Sequence, residues 1–284
     1  MIDVVLVTLR ELVRRRFVLA AILATAVLVG LTAWGFDHLV HVHTRRGALS
    51  PLEIATTSAV LTLLIAYMFA FVLAVAATFL SAPALANDIE SGVLLPVLSR
   101  PIARTSVLLG KAIGVALLLG VYAYAAGGVE FVVVHAITGY APPHPATALA
   151  FIWMLSLVMV AFALLLSTRL SAIASSIVSI VFFGIAWIGG IVGSIGQAVH
   201  NDTLVNAATV SQLVLPTDAM WQSAAYALEP AAMIAVTHTT AGHNTFNGPF
   251  FVAAPPPTAM LLWTIGWIAV ALALSSWSFA RRDF

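Results

Sequence analysis

Charge is the scarcest feature of this sequence. Only 8% of its 284 residues are Asp, Glu, Lys or Arg, against about one quarter in ordinary soluble chains. So little charge cannot cover a water-facing surface. With 62% hydrophobic residues and a mean hydropathy of +1.06, most of that surface must face lipid, which excludes a soluble globular domain. Cysteine is absent, which removes disulfides, thiolate metal sites and cysteine nucleophiles and leaves the redox compartment unmarked. A net charge of +1 gives no case for nucleic acid as a partner. A cleaved signal peptide is not expected either. The first apolar run is too long and no small-x-small site follows at "LTAWGFDH", so the run reads as a retained span.

What is present is a set of long apolar runs. A span needs roughly 20 mostly apolar residues. Six runs qualify: Phe17 to Phe36, Thr57 to Leu80, Ser106 to Val134, Ala146 to Ser167, Ala172 to Gly196 and Thr258 to Phe279. They are continuous rather than alternating, which argues for helices over barrel strands. The expected class is therefore all-α, a polytopic membrane protein with six transmembrane helices, read as one domain over residues 1–284. Lysine and arginine set the orientation. With the amino terminus inside, the inner side receives Arg10, Arg14, Arg15, Arg16, Arg100, Arg104, Lys111, Arg169, Arg281 and Arg282, and the outer side only Arg45 and Arg46. Both termini are thus expected in the cytoplasm and the chain in the plasma (inner) membrane. Trp34, Trp153, Trp263 and Trp277 fall near span ends, as interfacial aromatics should.

Residues 1–16 are too polar to span. Ile2, Val5, Leu6, Leu9, Leu12 and Val13 recur at helical spacing, with Asp3, Arg10, Glu11, Arg14 and Arg15 taking much of the opposite side. This suits an amphipathic helix in the inner headgroup layer. The plainer reading is a basic topology signal. The outer loop, residues 197–257, holds no lysine or arginine. Within it, "LPTDAMWQSAAYALEP" predicts a short helix from about Thr217 to Leu228, with Met220, Trp221, Ala224 and Leu228 on one side, lying on the outer surface or dipping into the bilayer. The chain ends at "RRDF" directly after span six, leaving no expectation of a further soluble domain.

A second cluster of charge, Glu90, Arg100, Arg104 and Lys111, lies in "ESGVLLPVLSRPIARTSVLLGK", residues 90–111, between spans two and three. Pro83 and Asn87 mark the expected end of span two. Asp88 and Glu90 precede a short apolar run, Val93 to Leu98, where acids suit the positive end of a helix dipole. "SRP" then breaks the chain, and Arg104 and Lys111 flank the entry to span three. The picture is a small, polar-rimmed helix on the inner face, within a segment of residues 82–105. It reads either as a docking point for a cytoplasmic partner or as a solvated loop of topology charges.

The pattern E-x-G-x-L-x-x-x-L-S-R-P-I-x-R-x-x-x-L-L-G-K resembles the cytoplasmic signature of ABC-2 type permease subunits, the membrane components of many ABC exporters. Glu90, Gly92, Leu94, Leu98, Ser99, Arg100, Pro101, Arg104, Leu109, Gly110 and Lys111 carry the match. The basic amino terminus, six spans, long outer loop and "FARRDF" are similar in layout, most of all to permeases grouped with multicopper-enzyme maturation. Val93 departs from the pattern, where threonine is common, as does Pro96, inside what is usually an uninterrupted helix. The resemblance implies two six-span subunits, as a homodimer or a pair with a similar permease in membrane lipid. It implies that each subunit is driven by a separate ABC-type ATPase that carries the ATP and Mg. It also implies ATPase coupling through Asp88, Glu90, Gly92, Leu94, Leu98, Ser99, Arg100, Pro101, Arg104 and Lys111. The chain itself should be no enzyme and hold no cofactor. "LLGKAIG" has Thr105 where a phosphate-binding loop needs its first glycine and Ala112 where it needs Ser or Thr.

Other residues invite roles. Span five carries Ser176, Ser179, Ala186, Gly190, Gly193 and Gln197 on one side, plus the G-x-x-x-G pair Gly189 and Gly193. Such small residues let helices approach closely, at a dimer contact, along a pathway or within one subunit. The resemblance favours spans two and five near a dimer axis. Glu130 is the one carboxylate well inside a predicted span. It is expected to face the interior, line a pathway or contact His135, or else to sit at the outer interface. All eight histidines fall toward the outer side, and "DHLVHVH" places His38, His41 and His43 within six residues. Imidazole suits copper and zinc, but the spacing is no recognised ligand pattern. Two further readings stand beside an exporter subunit. One is a membrane-bound metal-dependent enzyme using these histidines, although no H-E-x-x-H or paired acidic motif is present. The other is a non-transporting component that passes ATPase motion to external proteins.

Overall fold

The computed structural model describes residues 2–14, 16–41, 43–44, 47–90, 103–230, 252 and 257–281. Nine helices carry the described chain: α1 Ile2–Arg14, α2 Arg16–His41, α3 Pro51–Glu90, α4 Arg104–Thr138, α5 Pro145–Ser167, α6 Ala172–Ala198, α7 Asp202–Val214, α8 Thr217–Leu228 and α9 Thr258–Ala280. A two-residue antiparallel pair, β1 His43–Thr44 with β2 Gly47–Ala48, turns the chain between α2 and α3. Six helices are long and apolar enough to cross a membrane: α2 from Ala21, then α3, α4, α5, α6 and α9. Each contains nearly all of one expected run.

Local chemistry sets several boundaries. Ser50 and Glu53 form a reciprocal capping box at the start of α3. The Ser50 N–H and hydroxyl donate to Glu53 Oε2 at 2.8 and 2.7 Å, and the Glu53 N–H returns to Ser50 Oγ at 3.3 Å. Pro145 occupies the first turn of α5, where its missing N–H costs nothing. Gly139 takes the left-handed conformation, φ 73°, that closes α4 by donating its N–H to the His135 carbonyl. Asn201 caps α7 through the N–H groups of Thr203 and Leu204.

α3 differs from the expected span two. It does not end near Pro83 but runs on through that proline to Glu90. Membrane helices tolerate an internal proline when neighbouring groups satisfy the freed carbonyl. At 40 residues and 1.5 Å per residue, α3 is about 60 Å long, twice the roughly 30 Å hydrocarbon core. Its last turns therefore project beyond any bilayer that its apolar part spans.

α5 lies at the centre, packed against α3, α4, α6, α8 and α9. Ile152, Met159 and Leu164 are buried there with Leu63 and Leu73 of α3, Leu108 of α4, and Met220 and Leu228 of α8. α2 is peripheral and leans mainly on α4. Trp153 is anchored against α4. Its indole N–H donates to the Ala116 carbonyl at 2.9 Å and its ring covers Gly120, where a Cβ would stand 3.0 Å away.

Candidate functional site

The molecule has a basic end, where α1 lies, and an opposite end, where α7 and α8 lie. At the basic end, Lys111 of α4 is buried, only 6% exposed. Its ammonium pairs with the Asp88 carboxylate and donates to the Ala84 carbonyl, both on α3. This corrects the sequence reading of the acids. Asp88 and Glu90 do not open a new helix but sit in the last turn of α3. Acids there face the negative end of the helix dipole, and Lys111 supplies the compensating charge for Asp88. The clasp joins the two helices that flank residues 91–102. Gly92, Leu94, Leu98, Ser99, Arg100 and Pro101 lie outside the described residues.

Three further cations, Arg104, Arg169 and Arg281, lie at the carboxyl end of α9. The Arg104 Nη1 donates to the Ala280 carbonyl at 3.1 Å. The Arg169 Nε donates to Ser278 Oγ at 2.9 Å, and Thr168 Oγ1 and Ser278 Oγ are hydrogen-bonded at 2.9 Å. Arg281 lies 4.4 Å over the Trp277 ring, a cation–π contact. Cations suit this end of a helix because its last carbonyls are unpaired. α1 packs across α4 at Gly114, where an added Cβ would stand 3.0 Å from the Thr8 side chain. Thr8 and Leu12 are buried, whereas Ile2, Leu6 and Val7 of α1 remain exposed.

This geometry sits in a chain whose residues 5–284 match the family model described as ABC-2 family transporter protein. The chain belongs to that family. A search of curated proteins finds no match. As an ABC-2 family permease, it is a multi-pass membrane component of an ABC transporter.

At the opposite end of the permease, the small-residue face of α6 is filled by the chain's own helices. A Cβ on Gly189 would stand 2.5 Å from Ser211 Oγ, one on Gly193 2.6 Å from the Ala208 Cβ, and one on Gly196 2.7 Å from the Leu204 Cβ, all on α7. A Cβ on Gly190 would collide with the Asp218 carboxylate of α8. Gly189, Gly190 and Gly193 thus pack within one chain. Ser176 and Ser179 are buried further along α6. The Ser176 hydroxyl returns to the Ala172 carbonyl at 2.9 Å, and Ser179 Oγ has no hydrogen-bond partner among the described residues.

Two carboxylates here were not singled out from the sequence. Asp218 Oδ2 accepts from Gln212 Nε2 at 2.7 Å and from Gln222 Nε2 at 2.8 Å. Burial pushes its carboxyl up to about 6, with both amides pulling the other way. Glu229 is 3% exposed and accepts the Val252 N–H at 2.7 Å. Burial pushes it up to about 7, opposed by that hydrogen bond. Beside it, the Tyr140 hydroxyl donates to the Leu228 carbonyl at 3.1 Å, closing α8. The only signal in the sequence was that this loop holds acids with no lysine or arginine to pair with them.

Glu130 of α4 does not pair with His135. It interacts with the Thr32 hydroxyl of α2, and its Oε1 is buried without a hydrogen-bond partner among the described residues. His38 stacks on Trp34, with ring centroids 6.0 Å apart, and His41 Nδ1 meets the Asp37 carbonyl at 2.8 Å. The His43 side chain is outside the described residues. Among the described residues no three His, Asp or Glu side chains form a group that could hold a metal ion.

Proposed function

We propose that the chain is the membrane-spanning subunit of an ABC-type exporter, that it works as a dimer, and that a separate ATPase drives it from the basic end. The observation that carries this reading is the construction of that end. α3 and α4, the helices that flank residues 91–102 in sequence, are clasped by Lys111 and Asp88 at the same end as α1 and the carboxyl end of α9. This fits a surface that receives motion from a soluble protein and passes it to two spans at once. The basic end is then cytoplasmic, with α1 in the inner headgroup layer. α3 and α6 supply the contact with a second permease. Phe71 and Phe79 of α3 and Ile177, Val181 and Ile185 of α6 are exposed apolar side chains, and Phe71 bridges the two helices through Phe183, with ring centroids 5.4 Å apart.

The test is gentle purification of the tagged chain from its native membrane, with identification of the copurifying proteins. An ABC-type ATPase should accompany it, and Glu90→Ala combined with Arg100→Ala should weaken the association. If no ATPase copurifies, and deletion of the chain leaves membrane ATP hydrolysis unchanged, the reading fails.

A further inference from the structure

A cavity of about 330 Å³ lies among α2, α3, α4 and α5, apart from the basic end and from the α3–α6 face. α2 packs along α4 but touches α3 only lightly, and the cavity occupies the gap. Leu28 of α2 and Met68 and Val72 of α3 line it and are each more than half exposed. In a chain of this hydropathy such exposure faces lipid, so the cavity opens sideways into the bilayer rather than toward water.

The lining is almost wholly apolar. Its polar groups are Thr25, Thr32, Tyr122 and Glu130. Thr25 and Tyr122 satisfy each other. Their hydroxyls are 2.8 Å apart, and Thr25 also donates to the Ala21 carbonyl at 2.8 Å. Glu130 meets Thr32 with part of its carboxyl group, and its Oε1 is left buried with no partner among the described residues. Among the described residues no lysine, arginine or histidine lines the cavity. A carboxyl group inside a span is costly unless something pairs with it, and here no cation among the described residues does so.

We propose that this cavity binds an amphiphile with a single apolar chain and a protonated amine, entering from the bilayer. The amine would pair with Glu130 in a charge-assisted hydrogen bond, and the apolar body would fill the space toward Leu28, Met68 and Val72. The volume lies near the lower limit of ligand pockets, about 300–1,000 Å³, which suits one chain rather than a two-chain lipid. The site is built within one chain, so it stands whether or not the proposed ATPase pairing does.

The experiment uses the purified full chain in phosphatidylcholine nanodiscs and two photo-crosslinking probes, a diazirine-bearing dodecylamine and the matching dodecanol. The amine should label peptides that contain Thr25–Thr32 or Leu64–Val72, and plain dodecylamine should compete. Glu130→Gln should lower amine labelling about tenfold, as expected for loss of one charge-assisted hydrogen bond, and leave the dodecanol unchanged. Val72→Trp, at an exposed position that tolerates bulk, should lower labelling by both probes. It keeps the test decisive if Glu130→Gln fails to fold. Equal labelling by amine and alcohol, indifference to Glu130→Gln, labelling unaffected by Val72→Trp, or labels scattered over all lipid-facing helices would each overturn the proposal.

Discussion

The ammonium of Lys111, on the second turn of α4, is paired with the carboxylate of Asp88, in the last turn of α3, and the lysine is almost fully buried. Removing one partner of such a pair leaves a charge without compensation, which costs more than the pair itself contributes. Lys111→Met is expected to destabilise the purified chain by about 2–4 kcal/mol, below the upper range because Asp88 keeps some solvent contact. Adding Asp88→Asn should recover part of that loss. Thermal unfolding of the two variants in one detergent checks this, and a double variant less stable than Lys111→Met would count against the clasp.

The glycine seam of α6 makes a position-specific forecast. Gly193→Ala and Gly196→Ala would force α7 outward, because the new methyl would stand 2.6 Å from the Ala208 Cβ and 2.7 Å from the Leu204 Cβ, respectively. Overpacking of this kind costs about 1–3 kcal/mol. Gly184→Ala, on the same helix with nothing within 4 Å of the added carbon, is the control and should be neutral or mildly stabilising. Equal melting temperatures for the three variants would remove the seam from the account.

Asp218 and Glu229 predict how stability depends on pH. Their carboxyls rise from 3.8 to about 6 and from 4.5 to about 7 on folding, chiefly through burial. Between the lower and upper values the folded state holds more protons than the unfolded one. Stability is therefore greatest below the unfolded values, falls as pH rises through the folded ones, and levels off above about 7. Melting should occur at a higher temperature at pH 5 than at pH 8. Asp218→Asn with Glu229→Gln should narrow the gap. A wild-type gap that is unchanged in the double variant would assign the effect to other groups.

The absence of cysteine makes the proposed subunit contact easy to probe. A single cysteine at Val181, exposed on α6, should give crosslinked dimers in native membranes when a short thiol-reactive linker is added. A cysteine at Leu262, exposed on α9, should not. Strong crosslinking at Leu262 with none at Val181 would place the contact elsewhere.

Much of this fold was legible because continuous apolar runs of span length leave few alternatives. α8 was equally clear. Met220, Trp221, Ala224 and Leu228 recur on one helical face, and all four are buried over the expected range, Thr217–Leu228. α7 was missed. "DTLVNAATVSQLV" mixes amides and hydroxyls with apolar residues and shows no clean stripe. Its traces were indirect: an Asn201 cap, and glycines on α6 spaced for a close neighbour. The roles of the charges were harder still. Lys111 reads as a topology charge, and its partner lies 23 positions away across a helical hairpin, a pairing that only tertiary structure reveals. Arg104 and Arg169 likewise meet α9 more than a hundred residues later in the chain.

Those last two contacts have a mechanical consequence. The carboxyl end of α9 is held from one side by α4, through Arg104, and from another by the end of α5, through Thr168 and Arg169. α4 is in turn locked to α3 by Lys111. Four helices that are scattered along the chain thus share one knot at the same end. Force on any one of these helices at that end is therefore shared with the other three, so the end answers a load as a frame rather than as separate rods.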